Sequence, residues 1–311
     1  MSRHAVLDIG TNSVLLLVAD LSHEDHRLAI LFDGSEITRL GQGIAQGQGL
    51  RAEAIERTIE ALERYLTRCR DLQVDSVTAV GTAILREASN GREFLQAARD
   101  RCGLEVEIIS GEEEARLAYM AVCLDEALGI PRDAKRIVMD VGGGSTELIF
   151  GREAIHFRTS LNIGAVRLTE RFLVSDPPTS PEQASASCFV AEQLKGLPQW
   201  PQGSAFVGIG GTIVNLGAIH LGLPAHDPDR LHGLSLTREV IQEEIALFAS
   251  LPLARRRQVP GLEPKRADVI LGGTLIIAGA MDHFRQERII VSCRGLRYGV
   301  LFDRFLRADM R

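Results

Sequence analysis

DIGTNS (Asp8–Ser13) and DVGGGST (Asp140–Thr146) each set an aspartate and an aliphatic residue before a glycine turn that ends in a hydroxyl side chain. Apolar runs flank both, AVL before and VLLLVAD after the first, RIVM before and ELIF after the second. Each stretch therefore reads as two strands joined by a tight turn. Taken singly, either is an ordinary hairpin, because Gly, Asn and Asp are turn residues. Twice in one chain, the pattern reads as a repeated half-molecule, and no short solenoid period competes with it.

The segments downstream of each hairpin support the repeat. After the first come a strand-like stretch at 28–33, a glycine- and glutamine-rich loop at 40–50, and an amphipathic helix with Ile55, Ile59, Leu62 and Leu66 at helical spacing. Strand 77–80, helix 90–103 and strand 105–109 come next. Ser110 and Glu113 make a Ser-x-x-Glu capping box, so a helix should start there. After the second hairpin come strand 154–161, helices near 165–174 and 182–196, and strand AFVGI running into the glycines of GIGGT (208–212). Helices over 237–250 and 265–283, strand 288–292 and a last helix over 296–307 close the chain. The expected architecture is α/β, two similar domains facing each other across a cleft, where small-molecule sites concentrate. The divide is expected at 1–125 and 126–311, with the last helix, about 296–311, able to pack back on the first domain.

Composition narrows the function. The chain has 311 residues, 45% hydrophobic and 24% charged, with a formal net charge of −6. A negative total argues against a general nucleic-acid or membrane-surface binder. The N-terminal apolar run is broken by Asp8, Asn12 and Asp20, unlike a signal peptide. Val269–Met281 is too short to span a bilayer and reads as a buried helix. Five cysteines without a C-x-x-C pair suggest buried thiols in a reducing compartment, hence a cytoplasmic protein.

The turns point to anions. Glycines at 10 and 142–144 allow backbone N–H groups to converge, and such nests bind phosphate. Thr11, Asn12, Ser13, Ser145 and Thr146 add donors. Gly210, Gly211 and Thr212 come after a strand and open a helix, a further place for an anion. A bare carboxylate beside a phosphate is repulsive unless a cation lies between, so Asp8 and Asp140 suggest Mg²⁺. There is no G-x-x-x-x-G-K-[ST] loop, no G-x-G-x-x-G fingerprint and no zinc pattern.

AVLDIGTNSVLLLVAD, ITRLGQGI, GTAILREASN, IISGEEEARLAY, IVMDVGGGSTELIFG, GIGGTIVNL and GLRYGVL, in that order from Ala5 to Leu301, resemble the exopolyphosphatase / guanosine pentaphosphate phosphohydrolase family. SGEEEAR together with DVGGGSTEL is specific; DIGTNS alone indicates only the wider actin-like ATPase and sugar-kinase superfamily. The resemblance implies two ribonuclease-H-like domains and Mg²⁺-dependent hydrolysis of a terminal phosphoanhydride. By motif position it implies Glu114 as general base and Arg86 as a phosphate contact. It associates Asp140 and Glu147 with the metal and the water, and Gly142 and Ser145 with the second phosphate loop. On the residues alone, Glu112, Glu113 and Glu114 are equally available, and Arg86 could be a surface residue paired with Glu87.

Two features depart from the family pattern. Cys293 stands in SCRGLRYG where an acidic residue is frequent, and the sequence ends at Arg311 without the helical region of longer members. The latter suggests a short-form enzyme. The expected substrate is polyphosphate, or guanosine pentaphosphate, with no nucleic acid or membrane partner; the resemblance allows a homodimer. A sugar-kinase-like phosphotransferase and a non-catalytic sensor of polyphosphate or alarmone are the competing classes.

Overall fold

The computed structural model describes residues 2–21, 28–42, 49–225 and 227–306. The chain divides into two compact units, Met1–Ala121 with Leu296–Arg311, and Val122–Gly295.

In the first unit, β1 (Ser2–Ile9) and β2 (Ser13–Leu21) form the expected antiparallel hairpin, Ile9 facing Val14 and Asp8 facing Leu15. β3 (Leu28–Ile37) extends the hairpin, and β4 (Ser76–Gly81) and β5 (Val106–Ile108) add parallel strands on the other side of β1. The sheet order is β3-β2-β1-β4-β5. Strand alternation gives each face its own core. Ala5, Leu7 and Ile9 pack under α1 (Ala52–Asp71) and α3 (Gly91–Cys102). A short helix, α2 (Ala83–Glu87), comes directly after β4, and no periodicity in the sequence marks it. Val6, Leu17 and Val80 line the opposite face with Leu117 and Met120 of α4 (Gly111–Cys123). Of the loop expected at 40–50, residues 43–48 lie outside the described residues.

The Ser110–Glu113 box is only half formed. Ser110 Oγ accepts from the Glu113 amide at 3.1 Å. The Glu113 carboxylate instead takes two bonds from Arg116, at 2.9 and 2.8 Å, because a bidentate guanidinium outcompetes a single backbone amide.

The second unit repeats the plan. β6 (Arg136–Val141) and β7 (Thr146–Gly151) form the hairpin, β8 (Ile155–Leu161) extends it, and β9 (Ala205–Ile209) pairs parallel to β6. β10 (Ser235–Thr237) and β11 (Arg288–Val291) complete the order β10-β11-β9-β6-β7-β8. Counted from β8, this is the first sheet's order with one short strand added, the ribonuclease-H-like plan twice. α5 (Ala165–Phe172), α6 (Ser180–Leu194) with a full Thr179–Glu182 capping box, α7 (Gly211–His220), α8 (Pro228–Leu231), α9 (Arg238–Ser250) and α10 (Leu253–Arg256) surround it. The apolar stretch near Val269 becomes α11 (Ile270–Phe284), buried along most of its length. Among the described residues no helix is long and apolar enough to cross a membrane.

The chain then returns to the first unit. α12 (Leu296–Leu301) and one π turn, Phe302–Leu306, pack Leu296, Tyr298 and Val300 against Val6 and Leu17. All five cysteines are free thiols.

Candidate active site

In each unit the singled-out residues collect at the carboxyl ends of the parallel strands, where open α/β sheets place their ligands. Asp8 lies at the end of β1. Thr82 comes after β4 and leads into α2 with Arg86. Ser110 comes after β5 and leads into α4 with Glu114. In the second unit Asp140 lies at the end of β6 and Gly210 directly after β9.

Both hairpin turns close in the same way. The Gly10 amide donates to the Ser13 carbonyl at 2.9 Å, and the Gly142 amide to the Ser145 carbonyl at 3.0 Å. These two N–H groups are spent on the turn and are not the converging donors expected from the sequence. The amides of Thr11, Asn12, Gly143 and Gly144 donate to no acceptor among the described residues. Carbonyls of the same loops are taken: Thr11 accepts from Gly41, Asn12 from Thr38 and Arg39, Gly143 from Val166 and Arg167. Loops with satisfied carbonyls and unsatisfied N–H groups favour an anion. The buried Asn12 Nδ2 also lacks a partner, and a buried donor without one is costly. Two expected donors point elsewhere. Thr146 Oγ1 donates to the Ile163 carbonyl at 2.7 Å, and the Thr212 side chain packs against Gly273 of α11.

The strand registers give the two halves a matching row. Val80, Asp8, Leu15 and Ser35 lie side by side across β4-β1-β2-β3, and Ile209, Asp140, Glu147 and Ser160 across β9-β6-β7-β8. Leu15 occupies in the first row the place that Glu147 holds in the second. Asp140 and Glu147 thus face each other directly, and like charges so placed repel. Glu147 is 2% exposed and accepts from Ser160 Oγ at 2.7 Å, while Asp140 is half-buried. Two opposed carboxylates, largely withdrawn from water, fit a hard divalent cation. Mg²⁺ usually takes only one or two carboxylates, with water and phosphate oxygens completing its shell. Among the described residues there is no group of three or more acidic, histidine or cysteine ligands. Asp8 has no second acid in its row. Burial pushes its carboxyl up to about 6, and the nearby Arg297 charge pulls it the other way.

Gly210 adopts φ +87°, and a Cβ there would lie 2.6 Å from Asp140 Oδ1. Only glycine brings the α7 N-terminus this close to that carboxylate. At Gly211 the Arg266 guanidinium occupies the space that a Cβ would take. Asn215 fixes this arrangement: its Nδ2 donates to the Gly211 carbonyl at 2.8 Å and its Oδ1 accepts from the Glu263 amide at 2.7 Å. Burial lowers the Arg266 pKa from its usual value. Arg266 was missed in the sequence because nothing in EPKRAD marks it as a neighbour of GIGGT.

In the first unit, Arg86 Nη1 donates to Glu114 Oε2 at 3.0 Å and to the Ile109 carbonyl at 2.7 Å. Its partner is Glu114, not Glu87. The Glu114 side chain is 11% exposed, whereas Glu113 is turned to Arg116 and Glu112 lies on the outer side of the helix start. Among the three glutamates, Glu114 alone is buried and held by Arg86.

Comparison with known proteins identifies the family. The model of the Ppx/GppA phosphatase family matches residues 18–308. The chain is 33% identical over 303 residues to exopolyphosphatase 2 of Mycobacterium tuberculosis, covering 92% of each. It is 30% identical over 300 residues to the bifunctional 3-dehydroquinate synthase/phosphatase of Fusobacterium nucleatum, covering 93% of this chain but 44% of that longer one. A crystal structure of the Aquifex aeolicus Ppx/GppA family member superposes with a TM-score of 0.82 at 36% identity, covering 99% of this chain and 98% of that one. By sequence and by fold, this chain belongs to the Ppx/GppA phosphatase family.

Proposed function

We propose that the chain is an exopolyphosphatase, hydrolysing the terminal phosphoanhydride of inorganic polyphosphate and releasing orthophosphate. The observation that carries this reading is the buried Glu114 carboxylate held by Arg86 at the ends of β4 and β5. Glu114 orients a water and takes its proton as the water oxygen attacks the terminal phosphorus. The bond from phosphorus to the bridging oxygen breaks, and the shortened chain leaves with that oxygen. Arg86 uses two acceptors through Nη1 and keeps further N–H groups for the terminal phosphoryl oxygens. The free amides at Thr11, Asn12, Gly143 and Gly144, and the α7 start at Gly210–Thr212 with Arg266 beside it, bind phosphates. Asp140 and Glu147 would hold Mg²⁺, which when bound would neutralise charge on the phosphates, and Asp8 would be the first unit's carboxylate for a cation. Such chemistry needs positioning and charge stabilisation more than covalent steps.

The family membership and the likeness to exopolyphosphatase 2 support polyphosphate as substrate. Guanosine pentaphosphate offers the same terminal bond and is the competing substrate. The test is orthophosphate release by the purified protein with Mg²⁺ from polyphosphates of graded length and, separately, from guanosine pentaphosphate. Release from polyphosphate supports the reading; release from the nucleotide alone overturns it.

A further inference from the structure

In the second unit's row, Glu147 stands between Asp140 and Ser160. It faces Asp140 across the β6–β7 ladder and Ser160 across the β7–β8 ladder. The two neighbours act on it differently. Asp140 repels it. Ser160 Oγ donates to Glu147 Oε1 at 2.7 Å, the length of a firm bond from a hydroxyl to a carboxylate. Glu147 is 2% exposed, and β8 is the terminal strand of the sheet. An exposed serine on the outer edge therefore grips a buried carboxylate one strand in. The hydroxyl is neutral, so it restrains the carboxylate without cancelling the charge that a cation needs.

One oxygen held in this way changes what Glu147 can offer a metal. A carboxylate that presents both oxygens to one cation suits Ca²⁺, which takes about six to eight ligands at about 2.3–2.6 Å in flexible geometry. Mg²⁺ demands a near-octahedral shell at about 2.0–2.1 Å, which the narrow bite of a bidentate carboxylate distorts. We propose that Ser160 is a positioning residue that holds Glu147 to a single metal-facing oxygen and so biases the cation site at Asp140 and Glu147 toward Mg²⁺ and against Ca²⁺. The inference rests on the reading of that pair as the cation site. It adds a determinant of which cation is taken, supplied by a side chain outside the reacting groups.

The test compares Mn²⁺, the spectroscopic stand-in for Mg²⁺, with Ca²⁺ on the full chain. Mn²⁺ binding is read by electron paramagnetic resonance and Ca²⁺ binding by displacement of Mn²⁺. Asp140→Asn identifies the site and is expected to weaken Mn²⁺ binding at least tenfold. Ser160→Ala releases the held oxygen and is expected to shift the ratio of Mn²⁺ to Ca²⁺ affinity at least fivefold toward Ca²⁺. Ser160→Thr keeps the hydroxyl on a residue that suits a strand and is expected to keep the wild-type ratio within about twofold. Ser160 is exposed on an edge strand, so both variants are expected to fold, and circular dichroism checks it. A merely structural role would lower both affinities together. An unchanged ratio in Ser160→Ala therefore overturns the proposal, whether or not both affinities fall. So does a Ser160→Thr ratio equal to that of Ser160→Ala, Mn²⁺ binding that Asp140→Asn leaves unchanged, or a wild type that takes up no Mn²⁺. Orthophosphate release by the wild type is measured separately. Release from polyphosphate with an unchanged ratio overturns this inference alone; a shifted ratio with release from the nucleotide alone overturns only the polyphosphatase reading.

Discussion

Asp140 and Glu147 face each other across the β6–β7 ladder, with Glu147 fastened to Ser160 and Asp140 backed by the Gly210 turn. An antiparallel register sets the two residues opposite each other on one face of the sheet. A cation is the simplest means of relieving their repulsion. Removing divalent metal with a chelator should abolish orthophosphate release, and adding Mg²⁺ should restore it. Asp140→Asn should raise the Mg²⁺ concentration needed for half-maximal activity at least tenfold, read from rate against free Mg²⁺.

Arg86→Lys tests the guanidinium's double grip on the Ile109 carbonyl and Glu114. An ammonium keeps the charge but not the planar fork. The expected result is a fall in kcat of at least tenfold with an unchanged circular-dichroism spectrum. An unchanged kcat would remove Arg86 from the machinery.

Gly210→Ala places a Cβ against Asp140 Oδ1 and forces φ +87° on a residue that resists it. The backbone cost alone is about 1–3 kcal/mol. A lower Tm should accompany reduced kcat, since the carboxylate must move. A variant with wild-type Tm would contradict the placement.

Glu244 is a titration prediction independent of function. Burial among apolar neighbours pushes its carboxyl up to about 8, and neither oxygen has a partner among the described residues. A carboxyl raised in the folded state stabilises fully below its unfolded value, 4.5, and loses that contribution as pH rises through about 8. Each unit of separation is worth about 1.4 kcal/mol. Glu244→Gln should therefore gain urea resistance relative to wild type between pH 5 and 8 and hold a constant advantage above that. A pH-independent difference would refute it.

Much of this was legible because it is local. Two strands, a glycine turn and alternation suffice to read β1–β2 and β6–β7, and the repeat itself announces two similar units. Thr179 and Glu182 do form a capping box, whereas Ser110 and Glu113 complete only half of one, because Arg116 one turn on offers Glu113 a stronger partner. The hidden part depends on register and on distant contacts. The opposition of Asp140 to Glu147 needs the pairing of strands. The spent amides of Gly10 and Gly142 need the turn's own hydrogen bond. Arg266 over Gly211 and Arg297 on Asp33 join segments with no periodic or spacing signal between them. Glu114 could be chosen among three glutamates only through the family resemblance; burial and the Arg86 bond now set it apart.

The most direct test is orthophosphate release from polyphosphate by wild type and by Glu114→Gln at saturating Mg²⁺, alongside polyphosphate binding by both. The amide keeps the shape but cannot take the water's proton. The account predicts that binding stays within about threefold while turnover falls about 10²–10⁴-fold. Turnover by Glu114→Gln equal to wild type would contradict it.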